Sequence, residues 1–583
     1  MPTPSLLQRL KERKLVQWAL AYLAGAFVVF QLLDALAEPL GLSTTLQRGV
    51  LALVGIAFFI TLVLAWYHGE KGRQTVSGPE LLMVAALLVV AGVALSTLGP
   101  EEETASEAEA GIFPPGDDAR PAIAVLPCEN FSPDPDDAYF ASGIHEEILL
   151  RLSKLSALRS IGRESVEWYR DHPRPMREMA VALGVGFVGE CSVRMDADRS
   201  LIRLTFQLID GENGSQLWAE NYDQDLTAAG VFDIQSDVAR QVAQAVGAIL
   251  TREDRVQLRA RPTENTEAFR LYLRGKFFWN RSTEEGFRRA IEYFQQALEE
   301  DPSYALAYAG IADSYNSLGW HDALPPDEAH SMARSAAERA LAIDAGLSEA
   351  HASLARVYQQ YDWDWPAAER AYRRALELNP SYAEARQWYA EYLAYMGRRD
   401  ESVEQATRAR ELDPLSLGIN HNLGLVLYLA RRYDDAIEEY QNLLELDPGF
   451  AIAHNFLGLA YAGKEMYDAA LAELEKAIGL SGMQDPLYIG TLGLIYAMMG
   501  KRDEAEGVLA HLLELSRNRY VAPVNLAIIY GALGQRDEAF ERMEVAYEVR
   551  DDFMMVLKVS PRLDSLRSDP RFENWMRRMG FVP

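Results

Sequence analysis

The sequence predicts an α+β multidomain chain: three N-terminal transmembrane helices, a small α/β domain and a C-terminal α-solenoid. Three observations carry this expectation. Pro380, Pro414 and Pro448 are evenly spaced, each inside a similar phrase, ELNPSY, ELDPLS and ELDPGF. Three apolar runs of about bilayer length stand before residue 100. Between those runs and the repeats, residues 121–250 mix short strand-like runs with amphipathic helical ones. A chain of 583 residues exceeds what one hydrophobic core serves, so several folding units are expected.

Residues 1–100 read as the membrane anchor. Arg9, Lys11, Arg13 and Lys14 stand against one acid, Glu12, ahead of apolar runs at 16–36, 50–67 and 81–98. Lys71 and Arg73 occupy the link between the second and third runs, while EEETASEAEAG after the third has no Lys or Arg. The positive-inside rule then puts residue 1 in the cytoplasm and everything beyond the third span in the periplasm. The expectation is a multi-pass protein of a bacterial inner membrane with periplasmic soluble domains. The first run is too long for the core of a cleavable signal peptide. Asp34 lies near the far end of its run, beside Glu38 and Pro39, where the interface is expected. Residues 101–120, acidic and punctuated by PPG, read as a linker.

In residues 121–250, AIAVLP is a short buried strand ended by proline. Phe140, Ile144, Ile148 and Leu152 share one face of a helix over 139–155. A strand near 158–161 and a helix over 174–183 follow, then strands at 187–195, 201–210 and 216–223. Ile202, Leu204, Phe206 and Leu208 alternate with polar residues, and Asp210-Gly211 and Asn213-Gly214 mark a hairpin turn. A helix over 232–250 leads towards the repeats.

The segments IAVLPCENFSPDPDDAYFASGIHEEILLRLSKL, VGFVGECSVR and LTFQLIDGENGSQLWAENYDQDL resemble the TolB amino-terminal-like (FlgO-like) domain over residues 121–250. A repeat array usually follows that domain. The combination is similar to bacterial membrane proteins often labelled as adenylate cyclase relatives or CadC-like regulators. In those a catalytic or DNA-binding module sits at the N-terminus. Here that position holds only the short basic stretch 1–14 and the apolar runs, so the resemblance implies architecture and supplies no catalytic residues.

Residues 265–551 hold about eight repeats, with 552–583 as a C-terminal cap. Counting Ala383 as position 1, position 8 is Ala390, Gly424 and Gly458 in successive units. Position 20 is Ser402, Ala436 and Ala470, and position 27 is Ala409, Leu443 and Ala477. Period and spacing resemble tetratricopeptide (TPR) repeats, in which two helices cross where side chains must be small. One unit cannot bury its apolar face, so units stack into a solenoid with a concave binding surface. The second unit carries an insertion, WHDALPPDEA, and closes at Ala345 instead of proline, and the third has one extra residue at 362–366.

A formal net charge of −28 argues against a nucleic-acid surface. No nucleotide-binding, zinc-protease or serine-hydrolase motif is present, so no enzyme and no cofactor is expected. Glu146 and Glu147, adjacent on a helix, point about 100° apart and read as a solvated face. His351 and His454 occupy packing position 4. In such repeats positions 2, 5, 9, 12 and 13 of the first helix face the groove. Here they include Arg356, Gln387, Glu391, Tyr395, His421, Tyr428 and Asn455, a lining that suits an extended peptide or a partner helix. Packing between repeats is the alternative for the two tyrosines. Cys128 and Cys191 stand where the TolB-like resemblance implies phenylalanine and glycine. They pair only if their strands are neighbours in matching register, and a buried free thiol is the alternative. The function expected is a non-enzymatic membrane-anchored scaffold, binding a protein or peptide in the groove. The alternative is a transmembrane sensor whose α/β domain binds a small ligand.

Overall fold

The computed structural model describes residues 120–134, 137–321, 323–482 and 485–581. The sheet domain begins with β1 (Ala122–Val125), β2 (Glu129–Asn130), α1 (Ala138–Ser153) and β3 (Arg159–Ser160). It continues with α2 (Arg163–Asp171), α3 (Met176–Leu183), β4 (Phe187–Met195), β5 (Leu201–Asp210) and β6 (Gln216–Asp225). Helices α4 (Ala228–Ala245) and α5 (Arg252–Leu258) close it. The strand order is β3-β1-β4-β5-β6, with β2 pairing β4. β1 is parallel to both β3 and β4, whereas β4, β5 and β6 form an antiparallel meander. The chain thus leaves β1 to one side, through α1 to β3, and returns to its other side at β4. Crevices form at the carboxyl ends of parallel strands at such a reversal.

Ile202, Leu204, Phe206 and Leu208 are buried as their alternation requires, and β6 is an exposed edge strand. At the hairpin turn the Asp210 carboxylate accepts from the amides of Glu212 and Asn213, at 2.9 and 3.1 Å, and Gly214 takes φ +71°.

Among the described residues, eight helix pairs follow. They are α6 (Thr266–Trp279) with α7 (Glu284–Glu300), α8 (Ala305–Trp320) with α9 (Pro326–Ile343), and α10 (Ser348–Val357) with α11 (Trp365–Leu378). Then come α12 (Ala383–Tyr395) with α13 (Arg399–Leu412), α14 (Leu417–Leu429) with α15 (Tyr433–Leu446), and α16 (Ala451–Gly463) with α17 (Tyr467–Leu480). The last are α18 (Pro486–Met498) with α19 (Arg502–Leu515), and α20 (Pro523–Ala532) with α21 (Arg536–Glu548). Two 3₁₀ turns, Asp552–Val556 and Pro561–Leu566, lead to α22 (Pro570–Arg578).

The small positions are where the helices touch. Ala390, Ala409, Ala436, Ala470 and Ala477 are fully buried, and the Ser402 hydroxyl donates to the Ala390 carbonyl at 2.9 Å. A β-carbon on Gly424 would stand 2.6 Å from the Tyr440 ring, and one on Gly458 would stand 3.1 Å from the Ala470 carbonyl oxygen. The phrase before each turn has its own chemistry. Asp301, Asp344 and Asp447 accept from the amides of Ser303, Gly346 and Gly449, at 2.9, 2.8 and 2.8 Å, so the aspartate turns the chain, whether the next residue is Pro302, Pro448 or Ala345. The extra residue of the third unit is absorbed by a π-helical turn, Tyr358–Asp362, ending at Trp363 with φ +57°.

The sheet domain and the repeats form one compact unit, Ala110–Pro583. One apolar core runs from Ile123, Phe140 and Phe206 through Phe269, Tyr272 and Phe294 to Leu347 and Leu415. Helix α1 lies at its centre, packed against α4 and α6. The seam is also polar. Arg159 donates to the Glu411 carbonyl at 2.7 Å, and the Gly162 amide donates to the Leu412 carbonyl at 2.6 Å. Asn379 donates to the Ser153 hydroxyl at 3.1 Å, and Lys154 pairs with Glu349 at 3.0 Å.

The membrane part of the expected fold class is corrected. No helix among the described residues is long and apolar enough to cross a membrane. The longest, α4 and α9, have 18 residues each and bury one stripe against their neighbours, the pattern of helices with one face in water. The expected spans at 16–36, 50–67 and 81–98 lie outside the described residues. The fold is mostly helical, a solenoid carrying a small sheet domain. The multi-pass inner-membrane localisation with periplasmic domains is withdrawn with the spans.

Candidate functional site

The expected groove residues fall into two sets. Arg356, Tyr395, Tyr428 and Asn455 are buried, whereas Gln387, Glu391 and His421 keep part of their surface open. Arg356 lies 4.7 Å from the Trp388 ring centre. Asn422 donates to Glu391 at 2.7 Å, and burial pushes the Glu391 carboxyl up to about 7. His421 sits among Tyr440, Phe450 and Phe456, and burial holds it neutral by lowering its pKa to about 4. Tyr428 packs edge-on against Phe456 at 6.1 Å. The Asn455 amide, fully buried, finds no hydrogen-bond partner for either its oxygen or its nitrogen.

Residues 551–581 reach back across these repeats. Lys558 donates to the Met396 carbonyl at the end of α12, at 2.8 Å, and Asp564 pairs with Arg431 just past α14, at 2.8 Å. The Trp365 indole donates to the Met579 carbonyl at 2.7 Å and stacks on Phe581 at 4.7 Å. The Asp551 carboxylate accepts from the Val524 amide at 3.1 Å in the last repeat. The tail therefore ties repeat eight to repeats three, four and five. Phe553, Met554, Met555, Leu557, Leu563, Phe572 and Trp575 were the available signal, since a cap facing water needs fewer apolar residues.

Glu146 and Glu147 depart from the expected solvated face. Glu147 is buried, and Glu146 stands between Arg163 at 3.8 Å and Lys276 at 3.7 Å, which hold its carboxyl below the usual range despite burial. His454 is buried against Glu473 at 2.6 Å, and His351 meets the Ala345 carbonyl at 3.1 Å.

A cavity of about 1030 Å³ opens past the carboxyl end of β1, over the middle of β4. The segment after β1, including Cys128, Glu129 and Phe131, forms one side. Arg163, Tyr169 and Arg170 of α2, with Glu190 and Cys191 of β4, form others, and Phe277 and Arg281 at the end of α6 complete it. Cys128 and Cys191 are joined in a disulfide with α-carbons 4.6 Å apart, which fastens the loop after β1 to β4 at the cavity wall. Pairing of β2 with Ser192 and Val193 brings that loop alongside β4.

The TPR_16 tetratricopeptide-repeat model matches residues 281–323, 390–449 and 421–482. A curated relative named "Putative adenylate cyclase 3", from Rhizobium meliloti (strain 1021), is 34% identical over 247 residues, 42% of this chain. The match spans 41% of that relative's length. Among solved structures, the TPR protein YrrB, described as having an unusual peptide-binding site, is 23% identical over 34% of this chain and 95% of its own, with a TM-score of 0.25. Pseudomonas aeruginosa pilF is 22% identical over 36% of this chain and 93% of its own, with a TM-score of 0.28. Human IFIT1, solved as a dimer with m7Gppp-AAAA, is 17% identical over 54% of this chain and 77% of its own, with a TM-score of 0.36. The C-terminal region of this chain carries tetratricopeptide repeats.

Proposed function

We propose that the protein is a non-enzymatic interaction scaffold whose solenoid groove takes an extended peptide or a partner helix. The carrying observation is a polar strip on the first helices of repeats four to six. Gln387, Glu391 and His421 are partly open there, whereas the Asn455 amide of the next repeat is buried. Partly open side chains on successive repeats give this strip donors and acceptors that solvent can reach. Main-chain groups of an extended ligand would use it. The name of the Rhizobium relative points to a different activity, but the shared stretch covers under half of each chain and no residue here reads as catalytic. The test is a displayed peptide library panned on the full-length protein. Enriched peptides should lose about tenfold in affinity for Gln387→Ala and for His421→Ala. A library without enrichment, or binders indifferent to both changes, would remove the groove from the proposal.

A further inference from the structure

The cavity past the carboxyl end of β1 has a wall of each charge. Its sheet wall carries Glu129 on β2 and Glu190 on β4, beside Thr205 and Gln207 of β5. Neither carboxylate has an ion-pair partner among the described residues. Glu190 accepts only an amide bond from Gln207, at 3.3 Å, and burial beside Glu129 raises its pKa. The helical wall carries Arg163 and Arg170 of α2, Arg174 beyond it and Arg281 after α6. Arg163 and Arg170 share Glu167, at 3.3 and 2.6 Å. The Arg281 guanidinium lies over the Phe277 and Phe278 rings, at 5.0 and 4.9 Å, with no carboxylate partner among the described residues. Apolar side chains, Phe131, Tyr169, Met179 and Phe277, stand with the two walls.

We propose that this cavity binds a small zwitterion of short-peptide size, its ammonium end against Glu129 and Glu190 and its carboxylate end against Arg281 and the arginines of α2. An anion would leave Glu129 and Glu190 without an opposite charge, and a cation would leave Arg281 without one, while Arg163, Arg170 and Arg174 already face Glu167, Glu146 and Glu178. A molecule carrying both signs answers both, and guanidinium groups suit a carboxylate through paired charge-assisted bonds. The volume, about 1030 Å³, is at the large end of small-molecule sites and accommodates a few residues of peptide. The cavity lies past the carboxyl end of β1, the strand at which the order of the parallel part of the sheet reverses. Because Arg281 belongs to the first repeat and Glu190 to the sheet, an occupant would touch both parts of the molecule. This site is separate from the solenoid groove and does not depend on it.

The probes are an equimolar pool of unblocked tripeptides and the same pool N-acetylated or C-amidated, titrated calorimetrically into the full-length protein. The unblocked pool should bind saturably, and each block should weaken binding at least about tenfold. Arg281→Ala should erase the discrimination against the amidated pool alone, and Glu190→Gln the discrimination against the acetylated pool alone. Both changes sit at the cavity surface, and melting temperatures confirm that each variant is folded. Should Glu190→Gln not fold, Arg281→Ala and the blocked pools still decide. Absence of binding by the unblocked pool, equal binding of blocked and unblocked pools, or affinities unmoved by Arg281→Ala would each overturn the assignment.

Discussion

Glu391 shows what one side chain can hide. In the sequence it is one more acid on a helix of a chain with net charge −28, and nothing local marks it as desolvated. In the fold it stands where α12 meets α14, bonded to Asn422, with its carboxyl raised to about 7 by burial. A group whose folded pKa lies above its unfolded value of about 4.5 contributes stability that is complete below that value and lost as pH rises through about 7. Glu391→Gln keeps the oxygen that accepts from Asn422 and removes the ionisation. The variant should therefore melt roughly 2–4 °C above the parent at pH 8, the difference closing by about pH 5. Equal melting temperatures at pH 8, or a gap that widens on acidification, would contradict the linkage. His145, His330 and His421, lowered to about 4 by burial, work in the opposite sense, losing stability as pH falls below about 6.5, so the comparison is made between variant and parent. Small residues were legible where charged ones were not. Ala436 or Ala470 is read from its recurrence at one position of successive units, whereas the surroundings of Glu146, Glu147 or Glu391 depend on elements distant in the chain.

At the scale of elements, legibility followed whether the signal was local. The repeat helices announced themselves by period, and β5 by its alternation. Helix α2 did not. Its sequence, RESVEWYRD, is preceded by Gly162 and carries no side-chain cap of its own. The cap comes from Asp413, far along the chain, whose carboxylate accepts from the Ser165 amide at 2.7 Å and from the Ser165 hydroxyl. The π-turn before Trp363 was foreshadowed by one surplus residue, but not its form. The disulfide depended on a register that the sequence does not state: β2 runs on along β4 one residue out of step with β1, with Val125 opposite Gly189 and Glu129 opposite Ser192. The repeat register can be tested directly. Ala436 is fully buried where α14 and α15 cross, and Glu438, on the same helix, is exposed. Ala436→Leu should cost roughly 1–3 kcal/mol in denaturant unfolding, and Glu438→Leu about 0.5 kcal/mol or less. Equal losses at the two positions would mean that the helices cross elsewhere.

At the scale of the whole molecule, the solenoid is held at two places that its repeats alone do not predict. The first is the seam with the sheet domain. Asp301, Asp344, Asp413 and Asp447 look alike in sequence, yet three turn their own chain and Asp413 caps α2 instead. Burial with Glu164 and Glu384 nearby pushes the Asp413 carboxyl well up, while its Ser165 bonds pull it down. The second is the tail. A stack of repeats with neighbour-only contacts frays from its end, and its stability is a sum of local terms. Here residues 551–581 connect the end of the stack to its middle, so the last repeat cannot open without breaking contacts at repeat three. Trp365 concentrates that closure, with its indole on the Met579 carbonyl and its ring on Phe581. Trp365→Ala removes a buried aromatic and should cost about 3–5 kcal/mol. The distinctive consequence is where the damage shows. Limited proteolysis of the variant should cut first within 551–581, remote in sequence from the substitution, while the sheet domain stays protected. Leu566→Ala, at the tail's contact with Gly531 of repeat eight, should expose the same segment. If the tail served only its nearest repeat, Leu566→Ala alone would release it, and Trp365→Ala would leave the cleavage pattern beyond residue 551 unchanged.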